Sequence, residues 1–139
     1  MSGMQPALRR VIYVSHTVTD PDEPIGPVLA SILTAARRNN PRIGVTGALL
    51  YTARRFAQVL EGPPEAVEAI FETIQCDLRH DHVTVLEVSA PTVRAFADWS
   101  MAFVADAPVR AETLGEAGGA AELLAMLQAA IRNTEAATA

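Results

Sequence analysis

The 139-residue sequence holds one cysteine, Cys76, so it can form no internal disulfide, and a reducing compartment suits it. No stretch approaches the roughly 20 uninterrupted apolar residues that cross a bilayer, and the start, MSGMQPALRR, lacks the apolar centre of a secretion signal. A cytoplasmic chain with no membrane partner is the expectation. Positive charge is in deficit, 11 basic against 16 acidic residues and a net charge of −5, which disfavours direct contact with nucleic acid. The arginines at 37, 38, 54 and 55 read as solvated charges at a helix end and a hairpin. Also missing are GxGxxG, GxxxxGK and GxSxG, and with them the usual support for dinucleotide, phosphate-loop and hydrolase chemistry. Cys76, His80 and His82 fall close together but in no familiar zinc spacing, so no metal site is expected. Carboxylates do not pair on one element either, since Asp20, Asp22 and Glu23 share a loop. With no catalytic constellation left, intrinsic enzyme activity is not expected.

What is present is enough apolar content, 50% of residues, for one domain with a proper core. RVIYVS, residues 10–15, alternates Val11, Tyr13 and Ser15 against Ile12 and Val14 and reads as a strand. A proline- and acid-rich loop follows, and then PVLASILTAARRNN places Val28, Leu29, Ile32, Leu33 and Ala36 at helical spacing. That helix is expected to end near Asn39, because Pro41 cannot continue it. Residues 43–51 and 56–60 are two strands joined as an antiparallel hairpin by TARR. A second helix carries Val67, Ile70, Phe71 and Ile74 on one stripe and is expected to stop near His80. Residues 83–88 and 99–104 complete the strands.

The order βαββαββ favours an α+β, ferredoxin-like fold: one mixed five-stranded sheet with both helices on a single face. A core over residues 1–104 and a helical extension of the same domain over 105–139 are expected. After Gly118-Gly119, the tail places Leu123, Leu124, Leu127 and Ile131 along one helical side, suited either to the bare sheet face or to a dimer or effector contact.

Polar residues in apolar strands are what call for explanation. In RFAQVLEG, alternation puts Phe56, Gln58 and Leu60 on one face and Ala57 and Val59 on the other. Both faces look buried, and an unpaired buried amide costs about 1–3 kcal/mol. Tyr13 sits likewise in mid-strand, while Asn39 and Asn40 mark a helix end. Carboxamides can read a heterocycle edge that presents an N–H between two carbonyls, as a flavin does. A phenol can in addition give up an electron and a proton. On the residues alone, a tyrosine bonded to a backbone carbonyl and an ordinary Asn-Asn-Pro helix stop are the more ordinary readings.

Taken in order, VIYVS, RRNNPRIGVTGALLY, RFAQVLEG, DLRH and FADWSMAFV resemble the BLUF domain, the blue-light sensor family that binds flavin adenine dinucleotide, over residues 10–104. The resemblance implies a non-covalently bound FAD, with FMN or riboflavin as substitutes. It makes Tyr13 and Gln58 a photoactive pair, accompanied by Met101 and Trp99 on the last strand, where alternation would place both on one face. It further implies cofactor contacts from Asn39, Asn40, Phe56, Arg79 and His80, with Asn40 at the polar pyrimidine end of the ring and Arg79 and His80 at the end of the second helix. It implies a photoreceptor that signals, through rearrangement of the Tyr13, Gln58 and flavin hydrogen bonds, to a downstream protein that the sequence does not name. A homo-oligomer is expected. The competing readings are a flavin-dependent oxidoreductase and a cofactor-free ferredoxin-like interaction module.

Overall fold

The computed structural model describes residues 7–18, 20, 22–52, 54–105 and 119–138. Within them lie the strands β1 (Arg9–Thr17), β2 (Thr46–Thr52), β3 (Arg55–Gly62), β4 (His80–Ser89) and β5 (Ala102–Ala105) and the helices α1 (Gly26–Ile43), α2 (Pro64–Gln75) and α3 (Ala120–Thr138). The strands form one sheet in the order β4-β1-β3-β2-β5. β5 runs parallel to β2, and every other neighbouring pair is antiparallel. The mixed five-stranded α+β sheet is the architecture expected from the element order.

Alternation within the strands sorts the apolar residues into two cores. Val11, Phe56 and Leu60 point to the face covered by α1 and α2, where they meet Leu29, Leu33 and Val67. Ile12, Val14, Ala57 and Val59 point to the other face, which α3 covers with Leu123, Leu127 and Ile131. The amphipathic tail thus docks on its own sheet, with Leu123 and Leu127 fully buried and Leu124 at the rim. Of the breaker pair before it, Gly118 lies outside the described residues. No described helix is long and apolar enough to cross a membrane.

Element ends depart from expectation where backbone chemistry had more than one solution. Pro41 sits inside α1 rather than beyond it. The helix continues to Ile43, and its left-handed cap is Gly44, at φ 74°, whose N–H bonds to the Asn40 carbonyl; glycine takes that conformation at no steric cost. α2 stops at Gln75 rather than near His80, because Asp77 and Arg79 close a turn and His80 already belongs to β4. β5 starts at Ala102 rather than Trp99.

Gly47 has a different reason to be glycine. A Cβ there would lie 2.0 Å from the Val59 carbonyl oxygen of the neighbouring strand, and its N–H bonds to the Trp99 carbonyl at 3.0 Å. Gly47→Ala is expected to cost about 2 kcal/mol or more in urea unfolding, since the backbones of β2 and β3 must separate to admit the methyl group.

Candidate functional site

Tyr13 and Gln58 meet because the register of β1 on β3 makes them direct partners across the sheet. A slip of one residue would send Gln58 to the α3 face. Both side chains are buried, at 3% and 5% exposure. The phenol donates its hydrogen bond to Gln58 Oε1, and Gln58 Nε2 donates to Met101 Sδ at 3.5 Å. The carboxamide is therefore held at both ends. Its oxygen faces a donor and its nitrogen faces a sulfur that can only accept, so the arrangement has a polarity.

Tyr13 packs its ring against Phe71 at 5.4 Å between centroids and presents an edge to His80 at 6.3 Å. Burial raises the phenol's pKa well above its ordinary value of 10.0, and the Asp77 charge raises it further. The hydroxyl is protonated throughout the physiological range. The negative charge that opposes loss of the proton alone also favours loss of an electron, because it stabilises positive charge on the ring.

Asp77 keeps that charge because Arg79 holds it: Arg79 Nε lies 2.9 and 3.0 Å from the two carboxylate oxygens. This hydrogen-bonded pairing lowers the Asp77 pKa and raises that of Arg79. From the same turn, Arg79 Nη1 reaches Ser31 Oγ on α1 at 3.3 Å. His80 joins β4 to the end of α2 and to β1. Its Nε2 lies 2.6 Å from the Ile74 carbonyl and its Nδ1 2.7 Å from Ser15 Oγ. A carbonyl can only accept, so Nε2 carries the proton, and in the neutral ring Ser15 donates to Nδ1.

Between α1 and α2, over this floor, lies a cavity of about 300 Å³. Its walls are apolar, with Ile32 and the small Ala35 and Ala36 from α1 facing Ile70 and Ile74 from α2. Hydrogen-bonding groups gather at the sheet and toward the helix ends, namely Tyr13, Gln58, Asn39, Asn40, Thr73, His80 and the paired Asp77 and Arg79. Such a slot suits a flat apolar ring system with one polar edge, at the small end of ligand-pocket sizes. Phe56 lines it as well, so every cofactor contact expected from the sequence reaches the same cavity.

Asn40 is 4% exposed, and its Nδ2 donates to the Ser100 carbonyl at 2.9 Å. Arg37 Nε donates to the Met101 carbonyl at 3.1 Å, so this arginine is more than the solvated charge expected. The last turns of α1 thereby grip the residues just before β5. Here the reading of Met101 and Trp99 as neighbours on one face is corrected. Neither is in a strand, and strand alternation does not apply to them. Met101, 1% exposed, packs in the core beneath α1 and α2, whereas Trp99 packs against the α3 core. The chain passes between the two faces of the sheet within three residues.

Sequence reasoning missed Glu61. Its carboxylate, 0% exposed, binds the Arg10 guanidinium and the backbone N–H groups of Ala95 and Phe96. Extending the alternation of Ala57 and Val59 by one period would have placed it inside. Among the described residues no buried side-chain nitrogen or oxygen lacks a partner.

A family model described as "BLUF: Sensors of blue-light using FAD" matches residues 8–102. A photoactivated adenylate cyclase subunit beta from Euglena gracilis is 38% identical over 94 residues, 68% of this chain and 11% of that protein. A blue light- and temperature-regulated antirepressor from Escherichia coli is 36% identical over 94 residues, covering 68% of this chain and 23% of that protein. The chain thus spans only a small part of either curated relative. Among solved structures, the dark state of BlrB, a BLUF protein, superposes with a TM-score of 0.77 at 32% identity and covers 91% of this chain and 98% of that one.

Proposed function

Because the chain belongs to the BLUF family of blue-light sensors and is a flavin-dependent photoreceptor, we propose that Tyr13 and Gln58 are its photoactive pair and that it signals by contact with a downstream protein. The observation that carries the proposal is the bond from the buried phenol to Gln58 Oε1 on the floor of the cavity.

The side chains present fit a flavin. The walls from α1 and α2 match the apolar faces of the ring system, and Asn39, Asn40 and Gln58 supply donors and acceptors for its polar edge. Asn40, whose amide nitrogen serves Ser100, has its carbonyl oxygen to accept a ring N–H. A flavin held there by Asn39, Asn40 and Gln58 would become, under blue light, an oxidant strong enough to take an electron from a phenol.

Tyr13 would be the residue that gives up one electron to it. An oxidised phenol is a strong acid, and the acceptor in place for its proton is Gln58 Oε1. The electron and proton return to Tyr13 after Gln58 has rotated or changed tautomer. Since the two ends of a carboxamide have opposite polarity, the change exchanges donor for acceptor toward Tyr13 and toward Met101. A sulfur facing a carbonyl oxygen instead of an N–H group loses its hydrogen bond. Met101 then has reason to move, and its own carbonyl and that of Ser100 are the groups held by Arg37 and Asn40. A few kcal/mol at such a contact is enough to bias a two-state segment. The partner takes its signal from this segment or from α3, which packs against β5 on the opposite face. Catalysis is not part of the assignment, and the relatives' cyclase and antirepressor activities belong to proteins of which this chain matches 11% and 23%.

The purified chain is expected to be yellow, to shift its flavin absorption slightly to the red under blue light and to recover in the dark. A pull-down carried out in light and in darkness should retain a protein in only one of the two conditions. Yellow protein with no reversible shift, or with turnover of a reductant, would instead mark an oxidoreductase. Colourless protein that takes up no flavin would mark a cofactor-free module.

A further inference from the structure

Residues 90–101 connect β4, at one edge of the sheet, to β5 at the other, and contain neither helix nor strand. A segment of that kind is ordinarily loose, because its backbone groups have no ladder to join. Here it is pinned at defined points. Arg94 Nη1 donates to Thr46 Oγ1 at 3.0 Å and to the Glu61 carbonyl at 3.2 Å. The Glu61 carboxylate then takes the next two amides, Ala95 N–H at 2.9 and 3.0 Å and Phe96 N–H at 3.0 Å, and is neutralised by Arg10 Nε at 2.8 Å. Three residues on, Trp99 N–H bonds back to the Phe96 carbonyl at 3.1 Å and the Trp99 carbonyl accepts from Gly47. Only then does the chain cross to the cavity side with Met101.

The position of the crossing is therefore set upstream of it. A buried carboxylate is an expensive anchor unless both oxygens are hydrogen-bonded and a counter-charge is present, and Glu61 meets both conditions. It is also the group on the α3 face whose hold on two successive amides fixes the phase of the turn that follows. We infer that Glu61 is a positioning residue for the photoactive pair: by holding Ala95 and Phe96 it keeps Trp99 against the α3 core and delivers Met101 to Gln58.

Only the light-dependent part of this inference rests on the function proposed above, so the test begins with the purified chain kept in darkness. Trp99 is the sole tryptophan, and its emission reports its surroundings directly. Glu61→Gln keeps the shape but loses the charge and sets an NH2 group where an acceptor is needed. The variant is expected to accelerate hydrogen exchange at the Ala95 and Phe96 amides by roughly tenfold or more while amides of β1 and β3 keep their protection. Trp99 emission is expected to move toward the solvent-exposed value. With flavin bound, dark recovery should change severalfold, because Met101 no longer has one fixed place at Gln58, and Glu61→Asp, which keeps the charge but shortens the reach, should lie between.

Unchanged exchange and emission in Glu61→Gln would overturn the inference, and so would changes in both with dark recovery as in the parent. Should the variants fail to fold, the parent chain decides the matter. Ala95 and Phe96 amides protected like those of β3 support the anchor; amides that exchange as fast as those of the exposed Thr92 and Val93 refute it. Absence of any light-induced shift in the parent would instead overturn the photosensor assignment of the pair.

Discussion

Tyr13→Phe is expected to leave the flavin bound and to abolish the light-induced red shift. Binding survives because the slot is walled by α1 and α2 and the substitution removes one oxygen from its floor. On the proposed mechanism photoactivity is lost because the phenol would supply both the electron and the proton, and phenylalanine has neither to give. No reversible shift should remain after a saturating flash. The folded protein holds the phenol neutral, because burial and then the Asp77 charge raise its pKa. The photoreaction of the parent chain should therefore show no dependence on Tyr13 ionisation from pH 6 to 9. The sign for stability follows as well. The unfolded tyrosine ionises near pH 10 and the folded one higher still, so the contribution of Tyr13 is complete below about pH 10 and is lost above it. In Tyr13→Phe that alkaline loss should be smaller, as read from urea midpoints on either side of pH 10.

Gln58→Leu should have an equally large effect on the photoreaction and a different one on the fold. Leucine fills a similar volume, but it removes the acceptor of the Tyr13 hydroxyl and the donor to Met101 together. The orphaned phenol then costs about 1–3 kcal/mol, offset in part by the apolar gain, so urea unfolding should register a modest loss. The light-induced shift should vanish, since no side chain remains at position 58 whose polarity can reverse. Comparison with Tyr13→Phe separates two roles. Both variants lack the shift, but Gln58→Leu retains the electron donor, so its flavin fluorescence should stay quenched where that of Tyr13→Phe brightens.

The buried placement of Tyr13 and Gln58 could be read from the sequence because strand alternation is a local rule. Tyr13 and Gln58 each stood out as polar groups among apolar neighbours, and an antiparallel register brings such positions together. The two apolar faces of the sheet and the apolar side of the tail helix followed from the same periodicities, whereas the structure decides that this side docks on the chain's own sheet. Trp99 and Met101 defeated the reading because alternation was applied to residues that precede β5, and nothing local announces where an irregular segment becomes a strand. Pro41 misled for a related reason: its missing N–H tells against helix, but its fixed φ is itself helical and the left-handed cap falls on Gly44 instead. Glu61 was passed over because, next to Gly62 and two prolines, it looks like a solvated turn residue. Its backbone partners lie 34 and 35 residues away, a separation that carries no sequence signature. Arg37 is the same case, since its partner is the Met101 carbonyl on a distant segment.

The most direct test follows the Gln58 carboxamide itself. The chain contains four glutamines, so a sample labelled with 15N at glutamine side chains gives four NH2 pairs, and the Gln58 pair is the one missing from Gln58→Leu. Reversal of the amide under blue light predicts that this pair moves on illumination and returns in the dark at the rate of the visible absorption change. A Gln58 pair that keeps its shifts while the flavin absorption moves to the red and back would contradict the account.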